Sequence, residues 1–241
     1  MVVDKTPINL LPADDYTLTV ADKARFADEE ALGIVPPTHP VLRSTAASVD
    51  ESQITSEEIQ QIVQKLFDTA NGQRDGKHAS KRKGRGMVGL AAPQIGVAKR
   101  IILVDRQVGE GRKAFGKLEC FINPQIVWRS RETVLGREGC FSAGPVWGVV
   151  RRSVAVKIRA FTPDGRQIEH IFENFTARIV QHEIDHLDGV RFPERIRSDA
   201  CRHWVHAEEL ETYAKRYKSW PRHCTLNRWR TYSGLGGNPD L

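Results

Sequence analysis

His182 and His186 stand four residues apart, with Glu183 between them, in Gln181-His182-Glu183-Ile184-Asp185-His186-Leu187-Asp188-Gly189. On a helix, side chains at i and i+4 share one face. Two imidazoles so placed can bind one metal ion, and the Glu beside the first can move protons for a water on that metal. An exposed helix face carrying His and Glu matches the same pattern, so the rest of the chain must supply a third ligand and a pocket. A catalytic site of this kind takes three protein ligands and keeps one position open. The spacing that would put a third His at position 192 finds Phe192 there, which excludes the metzincin arrangement. Two placements stay open. One is a downstream acid, Glu208 or Glu209, as in thermolysin-like enzymes. The other is Cys140, upstream, just after Gly139 and an expected strand. A small buried hydrophobe is the alternative reading of that cysteine.

The elements that must position these residues are readable in outline. Asn174 or Thr176 caps a helix running to about 188, with Ala177, Val180, Ile184 and Leu187 as its apolar face and Gly189 at the C′ position. Before it, residues 153–161 alternate apolar and charged, Thr162-Pro163-Asp164-Gly165-Arg166 has turn chemistry, and Ile168 and Phe172 fall in a returning strand, which makes a hairpin. Residues 100–105 read as a buried strand, 120–128 as two strand pieces around Pro124, and 133–135 as a short strand ending at Gly136. Thr55 and Glu58 form a capping box for an amphipathic helix over 55–70. In Gly89-Leu90-Ala91-Ala92-Pro93-Gln94-Ile95-Gly96, small residues let backbone pass close to a strand or a ligand, or make a tight turn. A second helix is expected from Ser198 to before Pro221. Residues 1–34 have weak periodicity and read as an extension, and the tail 222–241, basic and then Gly-rich, as mobile.

The 241 residues carry a formal charge of +6 and are 40% hydrophobic. The basic balance reads as solubility in preference to a specific nucleic-acid role. The stretch 71–86 holds six Lys/Arg against one Asp and reads as an exposed, Gly-rich loop. No apolar run is long enough to span a membrane. The four cysteines, Cys120, Cys140, Cys201 and Cys224, show no CxxC spacing, and the N-terminus lacks the plan of a secretory signal. Together these point to a reducing compartment, the cytoplasm, or an organelle if the chain is a mature form.

Three stretches, Gly89-Leu90-Ala91-Ala92-Pro93-Gln94, Glu138-Gly139-Cys140-Phe141-Ser142 and Gln181 to Gly189, resemble the three motifs of the peptide deformylase family, in the family's order. The resemblance covers roughly residues 34–196, which sets apart an extension (1–33), a catalytic domain (34–196) and a C-terminal helix with a basic tail (197–241). Met87 stands where the family usually has Gly, and Phe141 where it often has Leu.

The resemblance implies an α+β fold, with antiparallel strands around the helix that carries the His pair and a further helix near the C-terminus. It implies that Cys140, His182 and His186 bind one divalent metal, iron(II) in the cell, with zinc, nickel or cobalt as alternatives, a set that suits a thiolate and two imidazoles. It implies removal of the formyl group from N-formylmethionyl nascent peptides. Glu183 is then the general base and acid, and the Gln94 amide and Phe141 N–H are the oxyanion donors. Gly89 and Gly139 lie along the substrate backbone, and Arg152 contacts substrate or an acidic partner. Asp185 orients an imidazole or lies on the helix surface. The basic loop 71–86 and the tail are candidate ribosome contacts. Two other functions compete: a thermolysin-type endopeptidase with a downstream Glu ligand, and a non-catalytic domain that binds nascent chains or RNA.

Overall fold

The computed structural model describes residues 16–74, 87–108 and 118–235. Its elements are helices and antiparallel strands in two sheets. A first helix, α1 (Val20–Ala31), opens at Thr19. Its hydroxyl accepts the Asp22 N–H and the Asp22 carboxylate accepts the Thr19 N–H, each at 3.1 Å, a reciprocal cap that satisfies two orphan donors. This helix lies within the segment read from sequence as an extension of weak periodicity. The second helix, α2 (Glu57–Arg74), runs four residues further than expected, into the stretch read as a basic loop. Ser56, not Thr55, caps it, with its hydroxyl facing the Ile59 N–H. The remainder of that loop, 75–86, and residues 109–117 lie outside the described residues.

Five strands form the larger sheet. They are β1 (Gly89–Ala91), β2 (Ile101–Asp105), β3 (Leu118–Arg129) and, after β4 (Thr133–Gly139) and β5 (Val146–Ser153), the hairpin β6 (Ala155–Phe161) and β7 (Gln167–Glu173). Their order is β1-β2-β3-β6-β7, antiparallel throughout. β3 is one strand rather than two pieces. A register shift between Ile122 and Gln125 takes up Pro124, and Asn123, at φ 52°, exchanges two hydrogen bonds with the Val49 backbone. The hairpin forms as its alternation requires, with Gly165 at φ 82° in the turn.

The helix α3 (Asn174–Leu187) lies between the sheets. Ala177, Val180, Ile184 and Leu187 are buried with Ile102, Val104, Val156 and Phe172 of the larger sheet. Neither Asn174 nor Thr176 caps it through a side chain. Its N-cap is Glu173, and Gly189 takes the C′ position at φ 71°.

The C-terminal part departs most from expectation. The single helix expected from Ser198 is broken. A short helix α4 (Phe192–Arg195) is followed by a strand, β8 (Arg202–Trp204), which completes the smaller sheet in the order β4-β5-β8. Helices α5 (Leu210–Arg216) and α6 (Leu226–Tyr232) follow. The segment read as a mobile tail therefore holds a helix as far as 232, with Trp229 fully buried beneath Arg191 and among Phe192, Trp204 and Cys224. α1 joins the same region, because Asp22 bonds both the His206 imidazole at 2.6 Å and the Ala207 N–H at 2.8 Å. Trp229→Ala should therefore cost about 3–5 kcal/mol, the usual loss for emptying a buried aromatic site. Urea unfolding checks it, and an unchanged midpoint would mean the tail does not pack.

Among the described residues, no helix is long and apolar enough to cross a membrane.

Candidate metal centre and active site

Two further stripes of α3 lie beside its apolar face, each at i, i+4, i+7 spacing. Arg178, His182 and Asp185 face β4 and β5. Ile179, Glu183 and His186 face β1 and the turn after β4.

The first stripe meets a buried ionic cluster centred on Glu138 of β4. Arg152 of β5 grips the Glu138 carboxylate with two hydrogen bonds of 2.9 Å. Arg178 adds a third at 2.7 Å, and the His182 Nδ1 lies 3.0 Å from the same carboxylate. Arg152 reaches Asp185 at 2.6 Å through its remaining nitrogen, and Arg195 reaches Asp185 at 2.7 Å. Burial by itself raises the Glu138 carboxyl, but Arg152 and His182 outweigh it and hold it well below the usual carboxylate range. Arg152 is lowered by burial and raised by Glu138 and Asp185, and ends above its ordinary value.

This cluster decides one expectation and corrects another. Of the two readings of Arg152, substrate or acidic partner, the structure supplies the second, because its guanidinium nitrogens are engaged by Glu138 and Asp185 and it is 6% exposed, a brace of the framework and not an open substrate contact. Asp185 bonds two arginines and no imidazole. The residue that orients a histidine is Glu138, whose place in the motif Glu138-Gly139-Cys140 carries no signal of that role. By fixing His182 Nδ1, Glu138 leaves Nε2 for the centre of the site.

The second stripe builds that centre together with His182 of the first. The ligand atoms of Cys140, His182 and His186 all lie within 4.8 Å of one another, and the Cys140 Sγ is 3.3 Å from His186 Nε2. The downstream acids are elsewhere. Glu208 accepts the Thr19 hydroxyl, and Glu209 pairs with Arg222. Of the two placements left open by spacing, the upstream cysteine is the one that reaches the histidines. Phe192, which occupies the metzincin position, stacks on the His182 ring at 5.9 Å.

Gln94 sits in the 3-10 turn that follows β1 and is 3% exposed. Its Oε1 accepts the Ala91 N–H at 2.8 Å, which fixes the amide so that Nε2 points at the site. Nε2 donates to the Cys140 Sγ at 3.4 Å and the Ser142 hydroxyl at 3.3 Å. Phe141 opens the turn Phe141–Ala143, a position whose N–H has no partner within the turn. Gly139 ends the edge strand β4, and a Cβ there would lie 2.3 Å from the Trp147 ring, so packing as well as backbone access calls for glycine.

Glu183 is buried against β1. Burial pushes its carboxyl up to about 7, against a lowering effect of His182. Its Oε2 has no hydrogen-bond partner. The two imidazoles are driven apart. Against its burial, His182 is held well above the ordinary value by hydrogen bonds with Cys140 and Glu138, whereas His186 is pushed well below by burial and by the His182 charge. One cysteine sulfur and two imidazoles, one of them backed by the Glu138 carboxylate, converge on a common centre. The donor set therefore fits a divalent metal of borderline softness.

A Cβ added at Gly89 would fall 2.4 Å from Glu183 Oε1 and 2.7 Å from the Ile179 side chain. Gly89→Ala must displace α3 or turn Glu183 away, and displacements near 1 Å at a reacting group cost about 10²-fold in rate. Steady-state kinetics of this variant checks the close approach, and unaltered kcat would contradict it.

Residues 31–201 match the family model described as polypeptide deformylase. A peptide deformylase of Desulforudis audaxviator is 38% identical over 162 residues, covering 67% of this chain and 91% of that protein. One from Thermomicrobium roseum is 38% identical over 182 residues, covering 74% and 93%. Among solved structures, a class I type b peptide deformylase from Acinetobacter baumannii bound to Met-Ala-Ser has a TM-score of 0.58 at 34% identity, covering 68% of this chain and 96% of that one. The same enzyme bound to actinonin has a TM-score of 0.56 at 34% identity, covering 68% and 97%. On the strength of these matches, and with the three motifs meeting at one site, this chain belongs to the polypeptide deformylase family of hydrolases.

Proposed function

We propose that this protein removes the formyl group from N-formylmethionine at the amino terminus of newly made polypeptides and releases formate. The observation that carries this reading is the convergence of Cys140, His182 and His186 with their ligand atoms within 4.8 Å, beside the buried Glu183 carboxylate. The Met-Ala-Ser complex of the related Acinetobacter enzyme supports a peptide that begins with methionine.

Cys140, His182 and His186 would hold the metal, with iron(II) the choice in the cell and zinc, nickel or cobalt also suited to the donors. When bound, such a metal lowers the pKa of a water to about 7 and so supplies a nucleophile at neutral pH. The chain's own groups do the rest. Glu183 accepts the proton of the attacking water, for which a carboxyl with a pKa of about 7 is matched to neutral pH. The Gln94 Nε2–H and the Phe141 N–H donate to the oxygen that gains charge at the formyl carbon. Glu183 then delivers its proton to the leaving nitrogen as the C–N bond breaks, giving formate and a free amine. The Gly89 backbone leaves room for the formyl group, and the free edge of β4 at Gly139 pairs with the extended peptide. We keep residues 34–196 as the catalytic unit. We also place the activity in a compartment that makes formylated chains, the cytoplasm or an organelle, with 71–86 and the final residues as ribosome contacts.

Formate released from formyl-Met-Ala, with casein left whole, supports this function over an endopeptidase, and the reverse pattern refutes it. Cys140→Ala should lose most of the metal, read by elemental analysis of purified protein. Full metal content in that variant would place the third ligand elsewhere.

A further inference from the structure

A pocket of about 220 Å³ lies beside the turn that follows Cys140. Phe26, Ile34, Phe141 and Tyr232 give it apolar walls, and its charged lining residues are Glu29 and Glu30, with no Lys or Arg. Phe26, Glu29, Glu30 and Tyr232 fall outside the residues that match the family model. The flanking helices α1 and α6 thus supply four of its ten lining residues, and residues 34–38 with Phe141 supply the rest.

Those helices are fastened to the loop that carries Phe141. Arg25 of α1 donates to the Gly144 carbonyl at 2.8 Å and to Glu29 at 2.7 Å. From the other side, a Cβ at Gly144 would lie 2.3 Å from the Tyr232 hydroxyl, so α6 rests directly on the loop. Phe141 is both the wall of the pocket and the chain neighbour of Cys140, which joins the pocket to the proposed site.

We infer that this pocket receives a basic side chain of the formylated peptide, at one of the positions that follow the methionine. The inference rests on the deformylase reading above. Pockets that enclose a whole drug-sized ligand run to about 300–1,000 Å³, so 220 Å³ suits a single side chain. A Lys or Arg lays its apolar stem along aromatic walls and keeps its charged head at a wetter rim. Glu30 is exposed and has no ion-pair partner among the described residues, whereas Glu29 is buried and paired with Arg25. Glu30 is therefore the group left for an incoming cation. An acidic side chain would meet two carboxylates.

The test measures kcat/KM of the full-length, metal-loaded protein on formyl-Met tetrapeptides with Lys, Ala or Glu at the second, third or fourth position. At one position Lys should exceed Glu by about fivefold, the scale of an exposed charge pair. Glu30→Lys should bring that ratio to about one through KM, while turnover of formyl-Met-Ala stays unchanged. Phe26→Trp, which fills the pocket, should remove the Lys preference without reversing charge. Formate from formyl-Met-Ala with no preference at any position overturns the basic occupant, as does a preference that survives in both variants. No formate from any peptide overturns the deformylase reading and the occupant with it.

Discussion

Glu183→Gln leaves the protein folded and able to hold its metal but lowers kcat for formate release by about 10²–10⁴-fold, the range that general acid–base catalysis supplies. The substitution keeps the shape of the side chain and removes its ability to take a proton. Folding should not suffer. The Glu183 carboxyl is raised to about 7 by burial, so its charged form is disfavoured in the folded state, and one of its oxygens has no partner to lose. A neutral amide relieves that cost. KM should change little, because the side chain acts on the proton in transit more than on the bound peptide. Metal analysis together with steady-state kinetics reads both halves of the prediction. A loss of metal in parallel with activity would make Glu183 a ligand or a prop and not the proton carrier.

The second large effect is on stability. Glu138→Ala should cost about 3–5 kcal/mol, as expected when one partner of a buried ion cluster is removed and the other charges are left without compensation. Two arginines and His182 share this carboxylate, and the Arg152 and Arg178 side chains are 5% and 8% exposed. Urea unfolding should show a lower midpoint with a similar slope. The variant should also bind metal about 10–100-fold more weakly, since His182 loses the group that orients its ring. The pH dependence has a definite sign. The folded-state pKa of Glu138 lies below its ordinary value of 4.5, so its stabilisation is complete above that value and is lost as pH falls beneath it. Wild type should therefore lose stability in acid faster than Glu138→Gln. Equal acid sensitivity of the two proteins would show that other carboxylates carry the effect.

How much of this was legible depends on whether local pattern or tertiary partners decide a residue's place. α3 was readable because its apolar residues repeat at helical spacing and Gly189 marks its end. The hairpin was readable because alternation and an Asp-Gly turn agree. The smaller sheet's third strand was not, since a three-residue run, Arg202-His203-Trp204, has no period of its own and sits among residues that read equally well as helix. Its place is set by pairing with Val146, Trp147 and Gly148. Trp229 lies in the stretch read as a basic, mobile tail, and its burial depends on Arg191 and Trp204, far away in sequence. α1 carried a local signal, Thr19 with Asp22 three residues on, that weak apolar periodicity obscured.

The site divides the same way. The His pair and the proton carrier lie on one helix and could be placed by spacing. The third ligand could not, because Cys140 and the two downstream acids were equal on spacing, and the family resemblance pointed to the cysteine before the fold brought it to His186. Glu138, Arg152 and Asp185 are charged residues of kinds that belong on surfaces. Their burial makes sense only once each is seen to neutralise the others.

The central claim is that Cys140, His182 and His186 hold one metal beside Glu183 for hydrolysis of a formyl amide. Its most direct test is formate release from formyl-Met-Ala-Ser by protein prepared anaerobically with iron(II), with metal content measured on the same sample. The account predicts one metal per chain and one formate for each Met-Ala-Ser produced, both lost when the metal is removed by a chelator. Protein carrying one metal per chain that yields no formate, or that cuts the peptide at an internal bond, would contradict it.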